Sequence, residues 1–123
     1  MTPETKEVEI IIVEDDPNDA ELVARVLRKI HLANKLVVLK DGAEALDYLF
    51  SEGGYTGRSN NTDLRVVLLD IKLPKVDGIE VLRRLKQDER TRSIPVVVLS
   101  ASKEERDLKN AYSLGANSYV AKP

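Results

Sequence analysis

Four groups capable of chemistry stand at the ends of apolar runs in this chain. Glu14 and Asp15 follow Ile10-Ile11-Ile12-Val13, and Asp70 follows Val66-Val67-Leu68-Leu69. Ser100 follows Val96-Val97-Val98-Leu99, and Lys122 follows Tyr119-Val120-Ala121. Paired carboxylates offer hard oxygens that suit a small divalent cation, most plausibly Mg²⁺, which keeps several waters and welcomes a phosphate oxygen. A carboxylate such as Asp70 can then act as a nucleophile toward phosphorus and form an aspartyl phosphate. Lys122 would neutralise the transferring group, and Ser100 would hydrogen-bond one of its oxygens. Two carboxylates about 4 Å apart repel by roughly 4 kcal/mol at an effective dielectric near 20. A chain that sets Glu14 beside Asp15 is therefore expected to offer them a cation.

These groups can meet only if each ends a strand of one parallel sheet. Val8 to Val13 reads as the first strand, and Pro17 suits the first position of a helix running to about Ile30, with Asp16 as its N-cap. Asp16 and Asp19 both favour the positive end of that helix, which explains them without chemistry. Leu36 to Leu39 reads as the second strand, and Asp41-Gly42 turns the chain into a helix from Ala43 to about Phe50. Ser51 to Asp63 is a polar connection, longer than usual. The central strand ends at Asp70, since Pro74 forbids its continuation. Asp77-Gly78 opens a third helix reaching about Asp88. Pro95 opens the fourth strand, ending at Ser100. A fourth helix, Lys103 to Leu114, has a thin apolar face and stops at Gly115. Ser118 to Ala121 is the fifth strand. Strand and helix alternate without a hairpin signal, which predicts an α/β protein with a parallel sheet covered on both faces. In such sheets, chemistry collects at the carboxyl ends of the strands.

Composition bounds the alternatives. The 123 residues make one domain, with residues 1–7 as a frayed tail. With 42% hydrophobic and 33% charged residues the chain is of globular type. A net charge of −2 gives no case for nucleic acid. Cysteine is absent, which removes disulfides and thiolate metal sites. No apolar run approaches a membrane span, and a cytoplasmic protein is expected. His31, the only histidine, reads as a solvated residue past the first helix.

On Glu14-Asp15, Asp70 with Pro74 and Asp77-Gly78, Ser100-Ala101, and Tyr119 with Lys122-Pro123, the whole chain resembles the receiver domains of two-component response regulators. The resemblance implies a doubly wound, flavodoxin-like sheet of five parallel strands in the order 2-1-3-4-5. It implies that Asp70 accepts a phosphoryl group from a phosphohistidine on a sensor histidine kinase or phosphotransfer protein. Mg²⁺ would be held by Asp15 and Asp70, by Glu14 through water, and by the backbone carbonyl of Lys72. Ser100 would move toward the phosphate and Tyr119 would turn inward, with Lys122 pairing with the phosphate. The Lys122–Pro123 bond would be cis. The chain would be a signalling protein that promotes its own phosphorylation and dephosphorylation, and not an enzyme acting on others. The wording Asp70-Ile71-Lys72-Leu73-Pro74-Lys75 and the long connection before Asp63 are most similar to stand-alone regulators paired with bacterial phytochromes.

The chain departs from the family in showing no fifth helix after Lys122-Pro123. The expectation is an open apolar face beside the first helix, and hence either self-association through that face or a chain shortened from a longer one. Other classes fit less well. Aspartate-nucleophile phosphatases place a second acid two residues after the nucleophile, where Lys72 stands. Flavin modules of similar fold cradle phosphate after the first strand, where three acids would repel it. A phosphorylation-independent scaffold stays open. The downstream partner is a protein that the sequence does not identify. Crowding of Glu14, Asp15 and Asp70 is expected to make the metal-free fold self-repelling.

Overall fold

The computed structural model describes residues 8–29, 35–53, 64–101 and 104–122. The tail 1–7, His31, most of the long connection, Ser102 and the Lys122–Pro123 bond lie outside the described residues.

The apolar runs become strands and pair as predicted. β1 (Val8–Val13), α1 (Pro17–Lys29), β2 (Lys35–Leu39), α2 (Gly42–Phe50), β3 (Leu64–Asp70), α3 (Gly78–Gln87), β4 (Val96–Ser100), α4 (Glu105–Ser113) and β5 (Ser118–Ala121) alternate along the chain. The sheet is parallel, in the order β2-β1-β3-β4-β5, so β3 is central. Two strands start earlier than the apolar runs suggested, at Lys35 and Leu64. Both extensions answer β1, whose first residues need ladder partners: Val8 pairs with Leu64, and Glu9 pairs with Lys35 and Arg65.

The period of two sorts the sheet's side chains onto two faces. Ile11, Val13, Val67, Leu69, Val96 and Val98 pack with α2, α3 and Ala111 of α4 in the larger core. Ile10, Ile12 and Leu68 pack with Val23, Ala24 and Leu27 of α1 in a smaller one. Beside α1, Leu22, Val23, Leu99 and Val120 line a groove of about 270 Å³, with no helix over it among the described residues.

Local chemistry ends each helix. Asp41 accepts from the Glu44 N–H at 2.8 Å, and Asp77 from the Ile79 N–H at 2.9 Å, so both cap helices. α4 is shorter than expected, and Leu114 is its C-cap. Gly115 follows at φ +104°, with the Gly115 N–H donating to the Tyr112 carbonyl and the Ala116 N–H to the Ala111 carbonyl, both at 3.0 Å. That paired closure needs a left-handed residue, which glycine supplies without a Cβ clash. Only Ala111 of α4 is buried, so the helix is held by little apolar surface.

Candidate functional site

β1 and β3 are neighbours, and their carboxyl ends bring the acids of separate segments to one edge. Glu14, Asp15 and Asp70 each offer a carboxylate oxygen, all within 4.8 Å of one another. Glu14 and Asp70 are buried, while Asp15 is exposed. Hard oxygens at this separation fit a small divalent cation that keeps part of its water shell.

Lys122 reaches these acids from the end of β5. Its backbone N–H donates to the Ser100 carbonyl at 2.8 Å, which fixes the stem of the side chain just past β5. Its Nζ donates to Glu14 Oε1, to Asp70 Oδ2 at 3.0 Å and to Asp19 Oδ2 at 3.2 Å. Burial alone would pull the ammonium's pKa down, but the hydrogen bonds to Glu14, Asp70 and Asp19 leave it raised, so the group stays charged. Glu14 is pushed up to about 7, chiefly by burial and further by the nearby Asp70 charge, against the lowering pull of Lys122 and the Asp16 N–H.

The chain around Asp70 is tightly placed. Asp70 Oδ1 accepts from the Lys72 N–H at 3.3 Å, whereas the Lys72 side chain is exposed. A Cβ on Gly78 would lie 2.1 Å from the Asp70 carbonyl oxygen, so only glycine lets α3 start this close to the end of β3. Between them the loop bends at Lys75, which has φ 68°, with the Val76 N–H donating to the Pro74 carbonyl at 2.8 Å. A three-residue turn of positive φ at a non-glycine residue is strained, and such strain gathers at functional loops. Lys75 Nζ lies 3.5 Å from Asp41 Oδ2 on the facing cap of α2.

Ser100 is buried at the end of β4, and Tyr119 is half-buried against the larger core. Tyr119 pairs in register with Val98, and Ala121 with Ser100. The alternation puts Ser100 and Tyr119 on the same face of neighbouring strands. Glu14, Asp15, Asp70 and Lys122 thus come together, with Ser100 joined through its carbonyl.

Sequence reasoning missed two groups. Asp19 was explained by the helix dipole, yet its carboxylate reaches Lys122. Asp16 does cap α1, accepting from the Asn18 N–H at 2.8 Å, so the same segment serves both ends. Glu9, inside an apolar strand, is fully buried. It accepts from Tyr48 Oη at 3.0 Å and lies 3.4 Å from both Lys35 Nζ and Arg65 Nε. The signal was present, since Glu9, Lys35 and Arg65 stand at matching register near the starts of β1, β2 and β3.

A 2-1-3-4-5 parallel sheet with an acid cluster and a bridging ammonium at its carboxyl edge is the arrangement of receiver-type signalling domains. Comparison with known proteins agrees. The family model for the response regulator receiver domain matches residues 10–123. The chain is 40% identical over 113 residues to the response regulator Rcp1 of Synechocystis sp., covering 92% of this chain and 75% of that protein. The Mn²⁺-bound form of Rcp1 superposes with a TM-score of 0.85 at 38% identity, over 94% of this chain and 81% of that one. The bacteriophytochrome response regulator AtBRR gives 0.82 at 50% identity, over 98% and 84%. The phosphorylated cyanobacterial phytochrome response regulator RcpA gives 0.86 at 40% identity, over 95% and 81%. The chain belongs to the response regulator receiver domain family. It is a signalling protein of two-component systems, a switch of the kind set by phosphorylation, and its acid cluster is consistent with the divalent-metal binding of receiver domains. No helix among the described residues is long and apolar enough to cross a membrane.

Proposed function

We propose that Asp70 accepts a phosphoryl group from the phosphohistidine of a sensor histidine kinase or phosphotransfer protein, and that the resulting aspartyl phosphate is read by protein contact. An Asp70 carboxylate oxygen forms the new bond to phosphorus, the histidine nitrogen–phosphorus bond breaks, and the imidazole leaves and takes up a proton. The observation that carries this is the Lys122 ammonium 3.0 Å from Asp70, on the edge where Glu14 and Asp15 also converge.

Glu14, Asp15 and Asp70 would hold Mg²⁺, with the Lys72 carbonyl as a further ligand. When bound, the cation would neutralise charge on the phosphoryl oxygens. Lys122 would supply a second positive charge beside Asp70. Ser100 would turn its hydroxyl toward the phosphate, and Tyr119, one register pair behind it on the same face, would follow inward. α4, held by little apolar surface, would respond to that repacking, so α4 and β5 form the output surface. Removal of the phosphate by water at the same site would reset the switch. A cytoplasmic location follows, since the donor histidine is charged from ATP.

Intact mass after incubation with Mg²⁺ and acetyl phosphate tests the reading. One added phosphoryl group on the wild type, absent from Asp70→Asn and absent in chelator, is the expected result. No adduct on the wild type overturns it.

A further inference from the structure

We propose that Asp19 is a positioning residue for Lys122, the carboxylate that keeps the ammonium in place when a divalent cation occupies the acid cluster. The inference rests on the reading of Asp70 and Lys122 given above. Lys122 Nζ has three carboxylate partners: Glu14, Asp70 and Asp19. Two of them, Glu14 and Asp70, are also members of the cluster whose oxygens come within 4.8 Å of one another. Asp19 is the third partner and stands outside that cluster.

A cation on Glu14, Asp15 and Asp70 draws on two of the carboxylates that Lys122 shares and repels the ammonium at short range. The backbone of Lys122 is pinned by its hydrogen bond to Ser100, so only the side chain can yield. One side of that side chain borders the groove of Leu22, Leu99 and Val120, whose apolar walls offer an ammonium nothing. Asp19 lies on the rim of the same groove. It is held in the first turn of α1, where its N–H also reaches the Asp16 cap at 3.4 Å. The Asp19 side chain is 45% exposed against 15% for Lys122, so it can shift with the ammonium without losing its hydration. Asp19 therefore restrains Lys122 within reach of the phosphoryl oxygens, and it need not touch the phosphoryl group itself.

The test compares Asp19→Asn, Asp19→Glu and Asp16→Asn. Asp16→Asn removes the same charge from the same turn and keeps a competent cap, so it controls for charge alone. Two quantities are read: the NMR order parameter of the Lys122 Cε group with and without saturating Mg²⁺, and the rate of phosphorylation at saturating acetyl phosphate. In the wild type Lys122 is expected to stay ordered when Mg²⁺ is added. In Asp19→Asn its order falls on Mg²⁺ addition and the saturating rate drops about tenfold. Asp19→Glu restores most of both, and Asp16→Asn matches the wild type. Equal Lys122 order in Asp19→Asn and wild type with Mg²⁺ would overturn the proposal. So would a loss of order with no change in rate, or the same losses in Asp16→Asn. Should the wild type take no phosphoryl group, the function proposed for Asp70 fails, and Lys122 order, which needs no phosphorylation, still decides the role of Asp19.

Discussion

Lys122 Nζ lies 3.0 Å from Asp70 Oδ2 across 52 residues of sequence, at the ends of two strands that do not touch. β4 stands between β3 and β5, and the lysine reaches over its end. This ammonium is the counter-ion shared by three carboxylates.

Lys122→Met should therefore destabilise the fold in chelator by about 1–3 kcal/mol, less than a fully buried pair because the site sits at a wet edge. Saturating Mg²⁺ should shrink the loss, since the cation then serves the same acids. Urea unfolding in EDTA and in Mg²⁺ measures both; an equal loss in the two conditions would show that Lys122 is not a counter-ion for these groups.

Asp70→Asn should act the other way. Among the described residues, Glu14, Asp15, Asp19 and Asp70 outnumber the Lys122 ammonium that meets them, and the Asp70 charge helps push Glu14 up to about 7. Removing it should raise the Tm in chelator by a few degrees, for a gain of about 1 kcal/mol. A Tm at or below that of the wild type would mean that the acids are not crowded.

Glu9 makes a sharper test of buried charge. Glu9→Leu takes the facing carboxylate away from Arg65, whose side chain is only 10% exposed, and should cost about 3–5 kcal/mol. The double variant Glu9→Leu with Arg65→Met should recover most of that loss, because the desolvated cation goes too. Denaturation of the two variants side by side settles it: equal stability would mean that burial of the Arg65 charge does not depend on Glu9.

Asp88 gives a pH signature far from the site. Its side chain binds Arg90, with Asp88 Oδ1 accepting from the Arg90 N–H at 2.8 Å and Oδ2 from Nη2 at 2.9 Å. The Arg90 hydrogen bonds hold the Asp88 carboxyl down at about 2, below its usual 3.8. A depressed carboxylate stabilises the fold above its unfolded pKa, and that contribution is lost as pH falls from about 4 toward 2. Carbon-detected NMR titration should place Asp88 near the lower value, and Arg90→Gln should return it to the ordinary range; a normal titration in the wild type would refute the pairing.

The fold was legible because each strand carries its own signal. Val66 to Leu69 could only be a buried strand, and Pro17, Pro74 and Gly115 punctuated what lay between. The strand-end groups were legible for the same reason, since a parallel sheet leaves no freedom about which edge they share. Asp19 was not, because a first-turn acid already has a sufficient local explanation, and only tertiary contact shows that it also serves Lys122. Glu9 was hidden by its apolar neighbours; a charge in a strand becomes informative only beside the register that sets Lys35 and Arg65 against it. The early starts of β2 and β3 escaped notice because what lengthens them is pairing with β1.

The contact between Glu14 and Lys122 spans 108 residues. On the ribosome, Glu14, Asp19 and Asp70 emerge long before the lysine that pairs with them, and before β5, which presents it. A nascent chain thus holds an unbalanced knot of acids until translation has passed residue 122. Closing this high-contact-order loop is the slow kind of step in folding. Signalling competence should accordingly arrive late and all at once, when β5 docks, so that partly made chains carry Asp70 without its charge partner.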